Sequence, residues 1–184
     1  RMVDWLDGGF FRQAVGDWET IQFDQRAAIN AEMASVLAAM GARTGDRWYS
    51  GIAARTFDAL YGNFRQGPFV RAYRRGDENG IGRSARSSFS PRELRSLFGE
   101  SERRWLRENF GLNVESNPQM VIAIAIRGGD RKWIELAQSM LDKLRKSKQD
   151  IEPVFGGERQ LDSSAFAAAR MSETARWLGD TERL

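Results

Sequence analysis

The sequence contains no histidine and no cysteine in 184 residues. Without imidazole or thiol it lacks the usual neutral-pH general base, the usual transition-metal ligands and the most nucleophilic side chain. Histidine-based triads, zinc sites and redox dithiols are therefore excluded. A disulfide framework is excluded as well, which fits a reducing compartment or a virion. Long apolar runs are also missing. The longest, Met120 to Ile126, falls far short of the roughly 18 to 20 residues that a membrane span needs, and no signal-peptide pattern is present. Lysine is scarce: 24 of the 28 basic residues are arginine.

What is there is planar, permanently charged guanidinium, the group best matched to phosphate and carboxylate oxygens. The net charge of +3 conceals an asymmetry, because residues 65 to 92 carry seven arginines against Asp77 and Glu78 and leave the remainder slightly acidic. Charge gathered in this way produces a local potential that steers anionic partners. Hydrophobic content of 41% and charged content of 29% are those of a folded globular chain, so a packed core is expected. The length suits a single helical domain over 1–184. It divides naturally into N-terminal helices over 1–64, a basic loop over 65–90 and C-terminal helices over 91–184.

Periodicity predicts an all-α fold: a compact bundle of about seven short to medium helices with one long Arg/Gly-rich loop and negligible strand. Val3 to Ile21 reads as an interrupted helical segment. From Asp24, read as an N-cap, Ile29, Met33, Val36, Leu37 and Met40 recur at helical spacing and are expected to face inward until Gly41 stops the helix. A second helix after Gly45 and Asp46 aligns Trp48, Ile52, Phe57, Leu60, Tyr61 and Phe64. Ser90-Pro91-Arg92-Glu93 has the form of a capping box with proline at the first helical position. Leu94, Leu97 and Phe98 follow, then Gly99 and a helix bearing Trp105, Leu106 and Phe110. Met120 to Ile126 is read as a short buried helix turning at Gly128 to Asp130 into an amphipathic helix with Trp133, Ile134, Ala137, Met140, Leu141 and Leu144. Ser163 or Ser164 is expected to cap a last helix that carries Ala167, Met171, Ala175 and Leu178 and ends at Gly179.

The arginine-rich loop is the leading candidate site. Arg65, Arg71, Tyr73, Arg74, Arg75, Arg83, Arg86 and Arg92 combine phosphate-neutralising guanidiniums with a ring able to stack on a base, and Phe64, Phe69 and Phe89 lie among them. The competing readings are contact with an acidic protein surface and a solvated loop without function. The segment from Ser90 to Gly111 has the outline of a helix-turn-helix, but Arg95 and Glu108 fall where that motif wants small and apolar residues. Glu100 with Glu102, and Asp4 with Asp7, are conceivable acid–base pairs; such pairs are also common on ordinary charged surfaces. Asp77, Glu78 and Asn79 do not have the spacing of a calcium loop. Trp5 and Trp177, near the chain ends, are read as contacts to other subunits.

These features point to a non-catalytic helical subunit of a larger nucleoprotein or virion-like assembly, cytoplasmic or virion-associated, holding nucleic acid backbone through its arginine loop. No catalytic residue, cofactor, metal or membrane partner is expected. The rivals are a purely structural protein–protein subunit and an enzyme built on carboxylates and arginine. Neutralising Arg71, Arg74, Arg75 and Arg83 together is expected to leave the core folded. Trp48→Ala and Trp133→Ala are each expected to cost about 3–5 kcal/mol as deletions of large buried rings. Far-UV circular dichroism should be dominated by helix, and a sheet-dominated spectrum would overturn the fold class.

Overall fold

Local capping chemistry sets several helix boundaries in this chain. The structure, a computed structural model, describes residues 2–15, 20–75, 89–110, 131–156 and 160–183. Helix α1 (Ala27–Thr44) ends at Gly45, whose φ of 74° lets its N–H turn back to the Gly41 carbonyl. Asp46 opens α2 (Arg47–Ala59) by accepting a 2.8 Å hydrogen bond from Trp48 N, and α2 widens into a π turn over Leu60–Phe64. At α3 (Pro91–Leu97) the capping box is complete: Ser90 Oγ accepts from Glu93 N at 3.2 Å, and Ser90 N donates to Glu93 Oε2 at 2.7 Å. Lys148 donates to the same carboxylate at 2.6 Å, and this bond, with those from Ser90, holds the Glu93 pKa down at about 2. The stability it contributes is present above the ordinary value of 4.5 and is lost as pH falls toward 2. Helices α4 (Glu100–Phe110), α5 (Arg131–Ser147) and α6 (Leu161–Leu178) are the other helices among the described residues, the last closed by Gly179 at φ 72°.

The chain is mostly helical, yet strand is not negligible. Among the described residues there are three short antiparallel pairs: β1 (Gln13–Val15) with β2 (Thr20–Gln22), β3 (Gln25–Arg26) with β6 (Tyr73–Arg74), and β4 (Arg65–Gln66) with β5 (Phe69–Val70). The opening segment is therefore not the expected broken helix. Gly8 and Gly9 adopt φ of 86° and 89°, incompatible with helix, and the chain doubles back so that Val3 bridges Phe10. Helix α1 starts after Arg26 rather than at Asp24, because residues 25 and 26 are held in β3. Helix α6 starts after Gln160, and Ser164 caps nothing; its hydroxyl accepts from Val70 N at 2.8 Å and ties α6 to β5. The expected helix at Met120 to Ile126 lies outside the described residues.

Buried side chains among the described residues form two clusters. Ala27 and Ala31 of α1, Phe57, Leu60 and Phe64 at the end of α2, Val70 of β5, and Ala167, Met171 and Ala175 of α6 make one. Leu94 and Phe98, Trp105 and Leu106, and Ala137, Met140, Leu141 and Leu144 make the other, with Phe89 and Leu6. Helix α6 thus packs with α1 and α2, across the sequence from them, while α3, α4 and α5 group together.

Helix α1 presents the opposite face from the one its large apolar residues suggest. Its buried positions are Ala27, Asn30, Ala31, Ala34, Ser35, Ala38 and Gly41, while Ile29, Val36 and Met40 are exposed at 46%, 45% and 38%. Close helix approach explains the inversion. A Cβ on Gly41 would collide with the Ser50 hydroxyl and lie 2.8 Å from Ser50 N, so only a small-residue seam lets α2 come this near. Trp48 is half-exposed, which revises its expected role as a buried anchor; Trp105, 6% exposed, fills that role in the second cluster. The Trp133 side chain lies outside the described set.

Two helical glycines are expected to respond with opposite sign. Gly41→Val should destabilise by about 1–3 kcal/mol through overpacking. Gly51→Ala, where a Cβ meets nothing within 4 Å, should stabilise by about 0.5–1 kcal/mol. Chemical denaturation of the two variants checks this, and equal effects would remove the close-packing account of α1.

Candidate functional site

The loop that carries the candidate arginines is organised by a buried charge. Strand β6 is hydrogen-bonded on both sides: Tyr73 and Arg74 pair with Arg26 and Gln25 of β3, and Arg74 bridges Phe155 on the other flank, with Arg75 N donating to Val154 O and Gly156 N to Tyr73 O. Side chains alternate across such a strand. Arg74 points inward and is only 3% exposed, its Nη2 lying 2.9 Å from Asp7 Oδ2 and 3.6 Å from Asp4 Oδ2. Asp4 is fully buried and heavily bonded. Its Oδ1 accepts from Leu6 N and Asp7 N, and its Oδ2 accepts from Gln25 Nε2 at 2.9 Å. Burial raises its pKa to about 6, against the lowering effect of Arg74 and with the Asp7 charge adding to the rise.

Tyr73 and Arg75 take the other face. Together with Arg12, Asp24 and Arg26 they line an open cleft of about 370 Å³. Arg12 reaches it because its N–H is bonded to Asp24 O, and Arg26 because it stands opposite Tyr73 in the β3–β6 pair. The three guanidiniums are exposed, and none makes a side-chain hydrogen bond or ion pair to another described residue. Among the described residues one carboxylate, Asp24, lines the cleft with three guanidiniums beside a half-buried phenol ring. Such an arrangement suits a phosphate-bearing ligand with a ring to stack. Gly156 forms the floor under the ring, since a Cβ there would run into Tyr73.

The remaining candidates are dispersed. Arg65 is exposed, donates to Gly67 O at 3.2 Å and covers the Tyr61 ring at 4.8 Å. Arg71 is half-buried over the Phe155 ring at 4.5 Å and its Nε donates to Gln66 Oε1 at 3.4 Å. Arg92 is exposed in the first turn of α3. Arg83 and Arg86 lie outside the described residues. Arg74 is a correction: its charge is engaged by Asp4 and Asp7 in the interior, so it is withdrawn from any surface contact. Neutralising it in a multiple variant would disturb the core rather than spare it. Arg12 and Arg26 were missed because they lie outside the arginine-rich stretch, and only strand pairing brings them to it.

The carboxylate pairs read from the sequence also find structural partners. Glu102 receives both oxygens' bonds from Lys143 Nζ, at 2.7 and 2.8 Å, and a third from Gly99 N. Asp4 and Asp7 converge, but on Arg74 in the core. Among the described residues no group of three or more acidic side chains is placed to hold a metal ion, and no helix is long and apolar enough to cross a membrane. No protein-family model matches the chain, and no curated protein matches it in sequence.

Asp4 binds its proton more tightly in the folded chain than at its ordinary value of 3.8, so its contribution falls as pH rises from there to about 6. Asp4→Asn should remove that decline from a plot of stability against pH; an unchanged slope would assign it elsewhere. Arg74→Met, which leaves two carboxylates buried without their cation, should cost about 3–5 kcal/mol near pH 7 and less near about pH 5, where Asp4 is protonated.

Proposed function

We propose that this chain is a non-catalytic helical subunit of a nucleoprotein assembly, and that it holds a single-stranded nucleic acid through the cleft formed by Arg12, Arg26, Tyr73 and Arg75. The observation that carries this reading is the set of three guanidiniums, without side-chain partners among the described residues, around one aromatic ring. Guanidiniums left outward in this way neutralise phosphates, and the half-buried ring supplies a sequence-tolerant stacking face. An extended single strand suits the cleft better than duplex, because a ring flanked by strand backbone can stack only on an unpaired base.

A second reading, a structural protein–protein subunit, draws on a different surface. Ile29, Val36 and Met40 form an exposed apolar stripe on α1, and Trp177 is 45% exposed at the end of α6. Exposed aromatic and aliphatic groups of this kind are what subunit contacts cover. The two readings share a molecule without conflict. An enzyme is less well supported, because among the described residues neither the Tyr73 cleft nor the one between α2 and α5 brings two carboxylates together.

The test is a salt titration of binding to a labelled homopolymeric single strand. Replacing Arg12, Arg26 and Arg75 together by glutamine is expected to leave the melting curve intact and lower the slope of log affinity against log salt by about 2, at roughly 0.7 per phosphate contact. A triple variant that binds with the parent's affinity and slope would overturn the proposal. A parent that binds no nucleic acid but self-associates through α1 would favour the second reading.

A further inference from the structure

A second cleft, of about 400 Å³, opens between α2 and α5 beneath the N-terminal turn, away from the residues assigned above. Its volume falls in the range of small-ligand pockets. One wall is aromatic: the Trp5 and Trp48 rings lie 5.3 Å apart and tilted by 39°. The other is cationic. Arg55 Nη2 donates to the Trp5 carbonyl at 2.6 Å, and Arg145 donates to the same oxygen at 3.4 Å and to Leu6 O at 3.0 Å.

Two guanidiniums are thus anchored side by side on one peptide. Arg47 joins them from the first turn of α2, with no side-chain hydrogen bond or ion pair to another described residue. Asp142 is the one acidic side chain among the described residues of the lining, and it is bonded to Arg145 at 2.5 Å. The Arg55 Nε is buried and makes no hydrogen bond to a described residue. Burial, and next the positive charge of Arg145, lower the pKa of Arg55, the signature of a cation held where an anion would relieve it.

We infer that this cleft binds a phosphate monoester carrying a planar aromatic ring, the chemistry of a nucleoside monophosphate. Three guanidiniums facing one carboxylate leave an excess of positive charge that suits a group close to doubly negative at neutral pH. A carboxylate ligand would supply half of that. The exposed bidentate donors of Arg47 address the phosphoryl oxygens, the anchored Arg55 and Arg145 add positive charge behind them, and the paired indoles accept the ring by stacking. The inference does not depend on the nucleic-acid reading, since it uses none of the same residues.

Adenosine 5′-monophosphate, adenosine and inorganic phosphate are titrated calorimetrically into the full chain, with tryptophan emission followed in parallel. The monophosphate is expected to saturate below about 1 mM, and adenosine and phosphate each to bind at least about tenfold more weakly. Arg47→Gln, which breaks no bond between described side chains, should weaken the monophosphate by about tenfold without altering the melting curve. Trp48→Phe should remove most of the emission change and keep binding. The Arg12, Arg26 and Arg75 triple variant should bind the monophosphate as the parent does. Absence of saturable binding, parental affinity in Arg47→Gln, or loss of binding in the triple variant would each overturn the assignment.

Discussion

The ion cluster of Arg74 with Asp4 and Asp7 is the constraint on which the described architecture turns. A charge moved into the interior without a partner costs several kcal/mol, so the three groups must meet once any one of them is buried. Their meeting fixes the register of β6. Because side chains alternate along a strand, a slip of one residue would send Arg74 to solvent and Tyr73 into the core. The surface cleft is therefore a by-product of an interior requirement: Tyr73 and Arg75 face outward because Arg74 cannot. The same cluster holds the N-terminal turn in place, with Asn30 adding bonds to Phe10 N at 2.5 Å and Phe10 O at 3.1 Å.

That turn joins the two halves of the molecule. Leu6 enters the cluster formed by α3, α4 and α5, while Gly8 lies so close to α2 that a Cβ on it would come within 2.5 Å of Arg55 O. Arg55 of α2 and Arg145 of α5 then grip the Trp5 carbonyl from either side. A short irregular peptide thereby sets the spacing between two helices that do not otherwise share a buried cluster. The second cleft is the gap that this spacing leaves.

How much of this was legible in the sequence depends on how local the determining physics is. The Ser90–Glu93 capping box and the Gly179 stop are short-range hydrogen-bond patterns, and they were readable from neighbouring residues. So was the inward face of α5, where Ala137, Met140, Leu141 and Leu144 are buried as periodicity requires. The face of α1 was misjudged because periodicity weighs side-chain size, whereas close helix packing selects the small side: alanines and Gly41 approach their neighbours, and the larger aliphatics are turned out. The opening segment was misread for a related reason. Its glycines carry the local signal for a reversal, but the partners that stabilise it, Gln25, Asn30 and Arg74, are remote in sequence. Of the arginine loop, Tyr73 and Arg75 reach a common cleft with Arg12 and Arg26, a grouping that only β3–β6 pairing creates.

Gly156 differs from Gly8, Gly9, Gly45 and Gly179 in that its φ is not in the left-handed region and its role is volume. The Tyr73 ring rests directly on its backbone, and that contact has no slack for even a methyl group. The residue at 156 therefore works as a depth gauge for the basic cleft. Any side chain there would lift the phenol toward the surrounding guanidiniums and make the recess shallower, leaving the number of charges around it unchanged. Ring height and charge are set by separate parts of the chain, so on the proposed reading stacking on a base and attraction of a phosphate would be tunable one without the other.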